Sequence, residues 1–332
     1  MLRNPAATHI YGPVPSRRLG FSLGVDIVPF KTCSFNCIYC QLGRTPRSSG
    51  RRRRFFSSRE ILHQVHEAVA KSPRIDHITF SGSGEPTLNI AIGDLIRKIK
   101  KITDVPVAVL TNSSFLTRKA VRRALRAADV VVPSLDAARA ETFRRINRPL
   151  AGLQIAEIIR ALSAFRREFK GRIWLEVMLV KGINDSLVDI KALKRAIARI
   201  RPDKVQLNTV VRPPAEKWAR PLPRRALEKI AKQLGGEIEV VADFRKPTHS
   251  PSGGDIKRAI LDMAERRPVT QKDIASSLGR EEKDIRPHLE TLLRWRRLNQ
   301  RKYGRSFYYS SSKKEPRKEK RSTRDSALAR KV

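Results

Sequence analysis

The sequence is poor in cysteine, poor in acid and without any long apolar run. Cysteine occurs three times in 332 residues, at Cys33, Cys37 and Cys40, all within eight positions. An odd and tightly clustered set is not a disulfide framework. It reads as a metal site in a reducing compartment. No cysteine is left over for a second, thiolate-bound cluster. Acidic residues number 32 against 70 Lys and Arg, a formal charge of +38. An imbalance of this size points to a polyanionic partner, nucleic acid or an anionic surface. No run of roughly 18 apolar residues is present, which excludes a membrane-spanning helix. The opening residues Met1-Leu2-Arg3-Asn4-Pro5 lack the apolar stretch of a signal peptide. A cytoplasmic protein with no membrane partner is expected.

What is present suffices for a folded core, since 40% of residues are hydrophobic. Short β-rich runs alternate with amphipathic segments. Strands are expected at 22–28, 77–80, 105–110, 129–133, 172–180, 204–211 and 237–241. Helices are expected at 61–70, 90–102, 118–128, 153–170, 188–199 and 224–234. Six β-then-α units argue for an α/β fold with a parallel sheet wrapped by helices. Polar and Gly-rich residues gather after the strands, at the edge where such sheets bind ligands. The Pro/Ser/Gly-rich stretch 246–254 reads as a linker. Beyond it, helices at 255–265, 271–278 and 281–296 and a hairpin ending at 309 suggest a winged helix-turn-helix. The expected division is 1–245 for the core, 255–309 for the winged helix and 310–332 for a disordered basic tail.

The cysteine spacing is C-x3-C-x2-C. Three thiolates can bind three irons of a cubane and leave the fourth iron open to a chelating cosubstrate. Zinc would ask for a fourth ligand such as histidine. His9, His63, His66, His77, His249 and His288 all lie away from the loop at no short ligand spacing.

With Tyr39 just before the last cysteine, the loop resembles that of the radical S-adenosylmethionine (SAM) superfamily. Ser83-Gly84-Glu85-Pro86 resembles the same family's Gly-Gly-Glu-Pro segment, with Ser83 in place of the first Gly. The resemblance covers about residues 10–245. It implies a partial (β/α)6 barrel, a [4Fe–4S] cluster on Cys33, Cys37 and Cys40, and SAM as cosubstrate. It implies that Ser83, Gly84, Glu85 and Pro86 hold the SAM amino group. Asn112 and Ser134, at the next strand ends, are implied as SAM ligands; ordinary turn chemistry would also place such residues there. Glu176 should point into the barrel, because a charge on the helix-packed face is costly. Gly182 to Asp185 could shape an adenine pocket, and Arg212 could meet a carboxylate. The stretches Val14–Gly20 and Cys40–Thr45 are similar to a subgroup grouped loosely with wyosine-type tRNA-modifying enzymes.

The expected activity is reductive cleavage of SAM to a 5′-deoxyadenosyl radical that acts on an unknown substrate, RNA being the first candidate. The catalytic residue that meets that substrate is not legible. Expected partners are tRNA or other RNA, DNA through the winged helix, and an electron donor such as flavodoxin or ferredoxin. Arg286, His288, Arg294, Arg296 and Arg297 with Arg301, Lys302, Tyr303 and Arg305 are the candidate nucleic-acid contacts of the winged helix. Alternatives are a radical SAM enzyme acting on a protein or metabolite, and a cluster-based DNA-binding regulator.

Overall fold

The computed structural model describes residues 8–16, 18–72, 74–241 and 256–312. Strands β1 (Ile10–Ser16) and β2 (Gly20–Val25) form an antiparallel hairpin. From β2 onward every pairing in the sheet is parallel: β3 (His77–Phe80), β4 (Val107–Thr111), β5 (Val130–Pro133), β6 (Arg172–Leu179), β7 (Lys204–Thr209) and β8 (Ile238–Val240). Spatial order follows chain order from β1 to β8. Helices α1 (Ser58–Lys71), α2 (Ile92–Ile99), α3 (Lys119–Leu125), α4 (Ala140–Asn147), α5 (Ile155–Glu168), α6 (Leu187–Ile200) and α7 (Arg224–Leu234) lie between the strands.

The strand patterns explain which face does what. β5 is Val-Val-Val-Pro and buried throughout, as a central parallel strand must be. β6 alternates: Ile173, Leu175, Val177 and Leu179 enter the main core, whereas Glu176 and Met178 face a cavity. That cavity is also lined by Tyr11 of β1, Thr79 of β3, Thr111 of β4 and Asn208 of β7. In a flat sheet, six strand spacings would put β1 and β7 about 29 Å apart. Sharing one cavity requires the sheet to curl into an open, barrel-like trough. The expectation of an α/β partial barrel is met, with the helices packing Ile92, Leu95, Ile96, Ile158, Leu162 and Phe165 against its outside.

The C-terminal part has helices α8 (Ile256–Arg266), α9 (Gln271–Leu278) and α10 (Glu282–Arg294), then the hairpin β9 (Leu298–Tyr303) and β10 (Ser306–Ser311). Thr270 and Asp273 form a reciprocal capping box that starts α9. Ile260, Ile274, Ile285, Leu289, Leu292 and Leu298 form a separate small core. Val14 and Tyr11 of β1 pack into it, so the barrel and this unit share apolar contacts.

Four elements differ from the sequence expectations. The β1 strand and the α4 helix were not expected. β1 carries Gly12, Pro13 and Pro15, which mask strand character, and α4 is only eight residues long with Thr142, Phe143 and Ile146 buried. α2 begins later than expected because the Asn89 side-chain oxygen Oδ1 accepts from Ala91 N (2.9 Å), holding a turn before the helix. Ser310 and Ser311 belong to β10 and are not tail. The linker and the remaining tail lie outside the described residues. Among the described residues, no helix is long and apolar enough to cross a membrane.

Candidate active site

The cysteine loop leaves β2 and crosses the open end of the trough. Its backbone is clamped on several sides. Asn36 N and Ile38 N donate to Asn147 O and Ile146 O at 3.0 Å each, so the end of α4 holds the loop. Ser49 N donates to Cys33 O (2.8 Å), and the fully buried Ile38 anchors the middle. Glu216 bonds the loop from the far side: its N–H meets Ile38 O (2.9 Å), and its carboxylate accepts from Arg44 (2.8 Å) and Arg148 (2.5 Å).

Each thiol has a nitrogen donor. Asn112 Nδ2 and Phe35 N approach Cys33 Sγ at 3.5 Å, Asn147 Nδ2 approaches Cys37 Sγ at 3.5 Å, and Lys31 Nζ approaches Cys40 Sγ at 3.2 Å. Burial pushes the Cys33 thiol up to about 12, with the Glu85 charge adding to it. Burial pushes Cys37 well up too, with Asp136 next in effect. Unmetallated, these two groups are thiols and not thiolates at neutral pH.

The turn after β3 lies directly on this loop. Lys31 N donates to Ser83 O (2.6 Å), and Glu85 N donates to Thr32 O (2.9 Å). A Cβ on Gly84 would sit 2.0 Å from Thr32 O, so only glycine permits the contact. Ser83 donates through N (3.1 Å) and Oγ (2.5 Å) to Asp26, which is 3% exposed. The Glu85 carboxylate is taken up by four donors: Thr87 N and Oγ1, Thr111 Oγ1 and Asn112 N, at 2.5–3.1 Å. It therefore fastens the turn to β4. Ser83, Gly84 and Glu85 line the cavity, whereas Pro86 is buried at the start of a short 3-10 turn.

The ends of β4 and β5 continue the wall. Asn112 lines the cavity while its amide donates to Ser34 Oγ (2.9 Å) and accepts from Ser114 N (3.0 Å). Ser134 lines the cavity, and its carbonyl accepts from Ser113 Oγ (2.8 Å). Behind them, Asp136 collects Tyr39 OH (2.5 Å), Asn147 Nδ2 (2.6 Å) and Met178 N (2.9 Å). Burial lifts its carboxyl to about 6 against those donors. Asn184 is fully buried, bonding Asp136 O (2.7 Å) and Met178 O (2.8 Å), and so braces β6 without lining the cavity.

The remaining wall is cationic. Glu176 reaches the cavity as expected and is bound there by Arg18 and by Asn208 Nδ2 (3.0 Å). Arg212 also lines it, but its guanidinium is directed to the C-terminal unit, to Pro268 O (3.2 Å) and Asp273 (3.7 Å), with Gln41 at 3.5 Å. From that unit Arg266 reaches over the trough to Asp26 (2.6 Å) and stacks on Tyr11 at 5.4 Å. Arg266 and Arg267 both line the cavity, whose volume is about 330 Å³. Tyr303 and Tyr308 turn their hydroxyls to Val210 O (3.4 Å) and Val211 O (2.7 Å), so these two hairpin tyrosines face the barrel and not an open wing. Arg286, Arg294, Arg296, Arg297, Arg301, Lys302 and Arg305 are exposed. Asp26, Lys31, Arg266 and Arg267 were not singled out from sequence. Only the folded chain shows a lysine nine residues before a cysteine, or arginines some 180 residues after the Ser83 turn, at the same cavity.

Comparison with known proteins decides the class. Residues 27–193 match the Radical SAM superfamily. The UPF0026 protein of Helicobacter pylori is 31% identical over 307 residues, covering 90% of this chain and 96% of that protein. The chain belongs to the radical SAM superfamily. A protein named GTPase Obg from Brachyspira hyodysenteriae is 39% identical over 287 residues, 86% of this chain, but this chain spans only 42% of its length. The dual-specificity RNA methyltransferase RlmN of Oleidesulfovibrio alaskensis is 28% identical over 242 residues, covering 68% and 64% of the two chains. The fold resembles that of Streptococcus suis SuiB, crystallised with S-adenosylmethionine, at a TM-score of 0.50 and 15% identity over 66% of this chain and 50% of that one.

A radical SAM enzyme works with a [4Fe–4S] cluster and SAM, and the donor set here fits them. Among the described residues, no three His, Cys, Asp or Glu side chains gather round one point as a single ion demands. A cubane makes no such demand, because it spreads three thiolates over three irons. The N–H groups at each sulfur suit thiolate ligands, and hydrogen bonds of this kind tune cluster potentials.

Proposed function

We propose that Cys33, Cys37 and Cys40 hold a [4Fe–4S] cluster and that SAM lies against Ser83, Gly84, Glu85, Asn112 and Ser134, with Pro86 fixing the turn from behind, for radical chemistry on an RNA substrate. The observation that carries the assignment is the backbone lock between Lys31–Thr32 and Ser83–Glu85, which sets the cysteine loop and the turn on one cavity. When bound, the cluster would supply the electron that splits the SAM C5′–S bond and releases a 5′-deoxyadenosyl radical. The chain's own part is to orient and to exclude water. Gly84 lets backbone approach closely. Asn112, Asn147 and Lys31 place donors on the sulfurs. The C-terminal unit covers the trough through Arg212, Arg266 and Tyr308.

RNA is favoured by the +38 charge, by the exposed arginines of α10 and the hairpin, and by the similarity to a protein named as an RNA methyltransferase. The proposed organisation is a barrel through residue 245 with a nucleic-acid-binding unit from 255 to 309, served by a flavodoxin- or ferredoxin-type donor. The test is anaerobic reconstitution followed by 5′-deoxyadenosine assay with total tRNA and rRNA. Stimulation of cleavage by an RNA fraction is expected. Absence of stimulation by any fraction would move the substrate to a protein or metabolite.

A further inference from the structure

Among the arginines lining the cavity, all but one have a carboxylate within ion-pair distance: Arg18 has Glu176, Arg212 has Asp273 and Arg266 has Asp26. Arg267 also lines it, half-buried, and no hydrogen bond or ion pair of its guanidinium is found among the described residues. Asp273 acts on it only from longer range, and that carboxylate already serves Arg212 and the cap of α9. Burial pulls the Arg267 pKa down, against the opposing effects of Asp273 and then Tyr11, with a smaller push in the same direction from Arg18. A desolvated guanidinium with no carboxylate in contact is unfavourable until an anion supplies one.

Its position says which anion. Arg267 stands where the cavity meets a second groove of about 350 Å³ between the barrel and the C-terminal unit. Gln41 and Leu42 line both spaces. Cys33, Cys40 and the Ser83–Glu85 turn line the cavity alone, whereas Arg267 lines both the cavity and the groove. Lys31, which lines the cavity beside Cys40, is the cation placed near SAM. Arg301 and Phe30 also line the groove, and among the described residues Glu265 is the one acid in its lining. Two arginines along one groove suit the phosphates of a nucleotide chain.

We propose that Arg267 is a substrate-phosphate site, delivered to the cavity mouth by the C-terminal unit, with the groove as the path of entry. The inference rests on the RNA-directed function above and deepens it. It assigns the C-terminal unit a place in the active site itself.

The test uses the full-length, cluster-loaded protein without reductant. Binding is measured for a fluorescent single-stranded pentaribonucleotide, for the four nucleoside 5′-monophosphates and for SAM. The proteins are wild type, Arg267→Gln, Arg267→Lys and the control Arg225→Gln on the exposed face of α7. Arg267→Gln should weaken phosphate ligands at least about tenfold and lower the salt slope by about one. Arg267→Lys should restore part of the loss, and cluster absorbance, SAM affinity and the control should not change. Sensitivity of the monophosphates would indicate a free nucleotide as the source of the phosphate; sensitivity of the oligonucleotide alone would indicate RNA. Three results overturn the assignment: unchanged phosphate binding in Arg267→Gln, no phosphate binding by wild type, or an equal loss of SAM affinity, which would give Arg267 to the SAM carboxylate. Reductive SAM cleavage on the same preparations separates the two proposals. Its absence alongside Arg267-dependent binding would end the radical assignment and leave this one standing.

Discussion

Gly84 is the residue at which the fold leaves least room. A methyl group there meets backbone, the Thr32 carbonyl, and not a side chain that could turn away. Gly84→Ala is expected to destabilise by about 1–3 kcal/mol and to loosen SAM binding more than tenfold, as read by thermal unfolding and isothermal titration. Glu216 offers a pH test. Its bond from Arg44, then that from Arg148, holds its carboxyl below the ordinary 4.5. A lowered carboxyl contributes stability above its unfolded value and loses it as pH falls through the folded one. The melting-temperature gap between wild type and Glu216→Gln should therefore be largest near neutrality and close below about pH 4.5. A gap independent of pH would contradict the pairing. At this scale the sequence was most legible where chemistry is written in residue type. Three cysteines at fixed spacing and a Gly-Glu-Pro turn can be read directly. What Glu85 and Arg212 touch could not be, because both are satisfied by groups distant in the chain.

At the scale of elements, α4 and the hairpin β9–β10 carry more than their size suggests. α4 ends on the cysteine loop, with Asn147 bonding both a thiol and Asp136. It was missed because eight residues give barely two turns of periodicity. The long helices and the alternating β6 were legible because their patterns extend over several repeats, and Glu176 lines the cavity for that reason. The contact of the C-terminal unit with the barrel was not legible, since it depends on single side chains from separate segments. Arg212→Ala leaves the Asp273 carboxylate, 9% exposed, without its nearest cation and opens the bond to Pro268 O. It should lower stability by about 1–3 kcal/mol, measurable by denaturant unfolding. Tyr308→Phe, which removes one bond to Val211 O, should lose only about 1 kcal/mol.

For the whole molecule, charge and architecture make one statement together. The sheet curls so that strand ends from β1 to β7 meet at one cavity, and a basic unit closes over it. If RNA is the partner, the logarithm of its affinity should fall linearly with the logarithm of salt concentration. Affinity that ignores salt would point instead to a protein or small-molecule substrate. The central claim is narrower, that the three cysteines support reductive cleavage of SAM, and one measurement tests it most directly. Wild type and Cys37→Ala are reconstituted anaerobically with iron and sulfide, reduced, and assayed for 5′-deoxyadenosine from SAM. Wild type should be brown and form the product, and Cys37→Ala should lose both while remaining folded. Equal product from the two proteins, or none from a wild type that carries its cluster, would contradict the account.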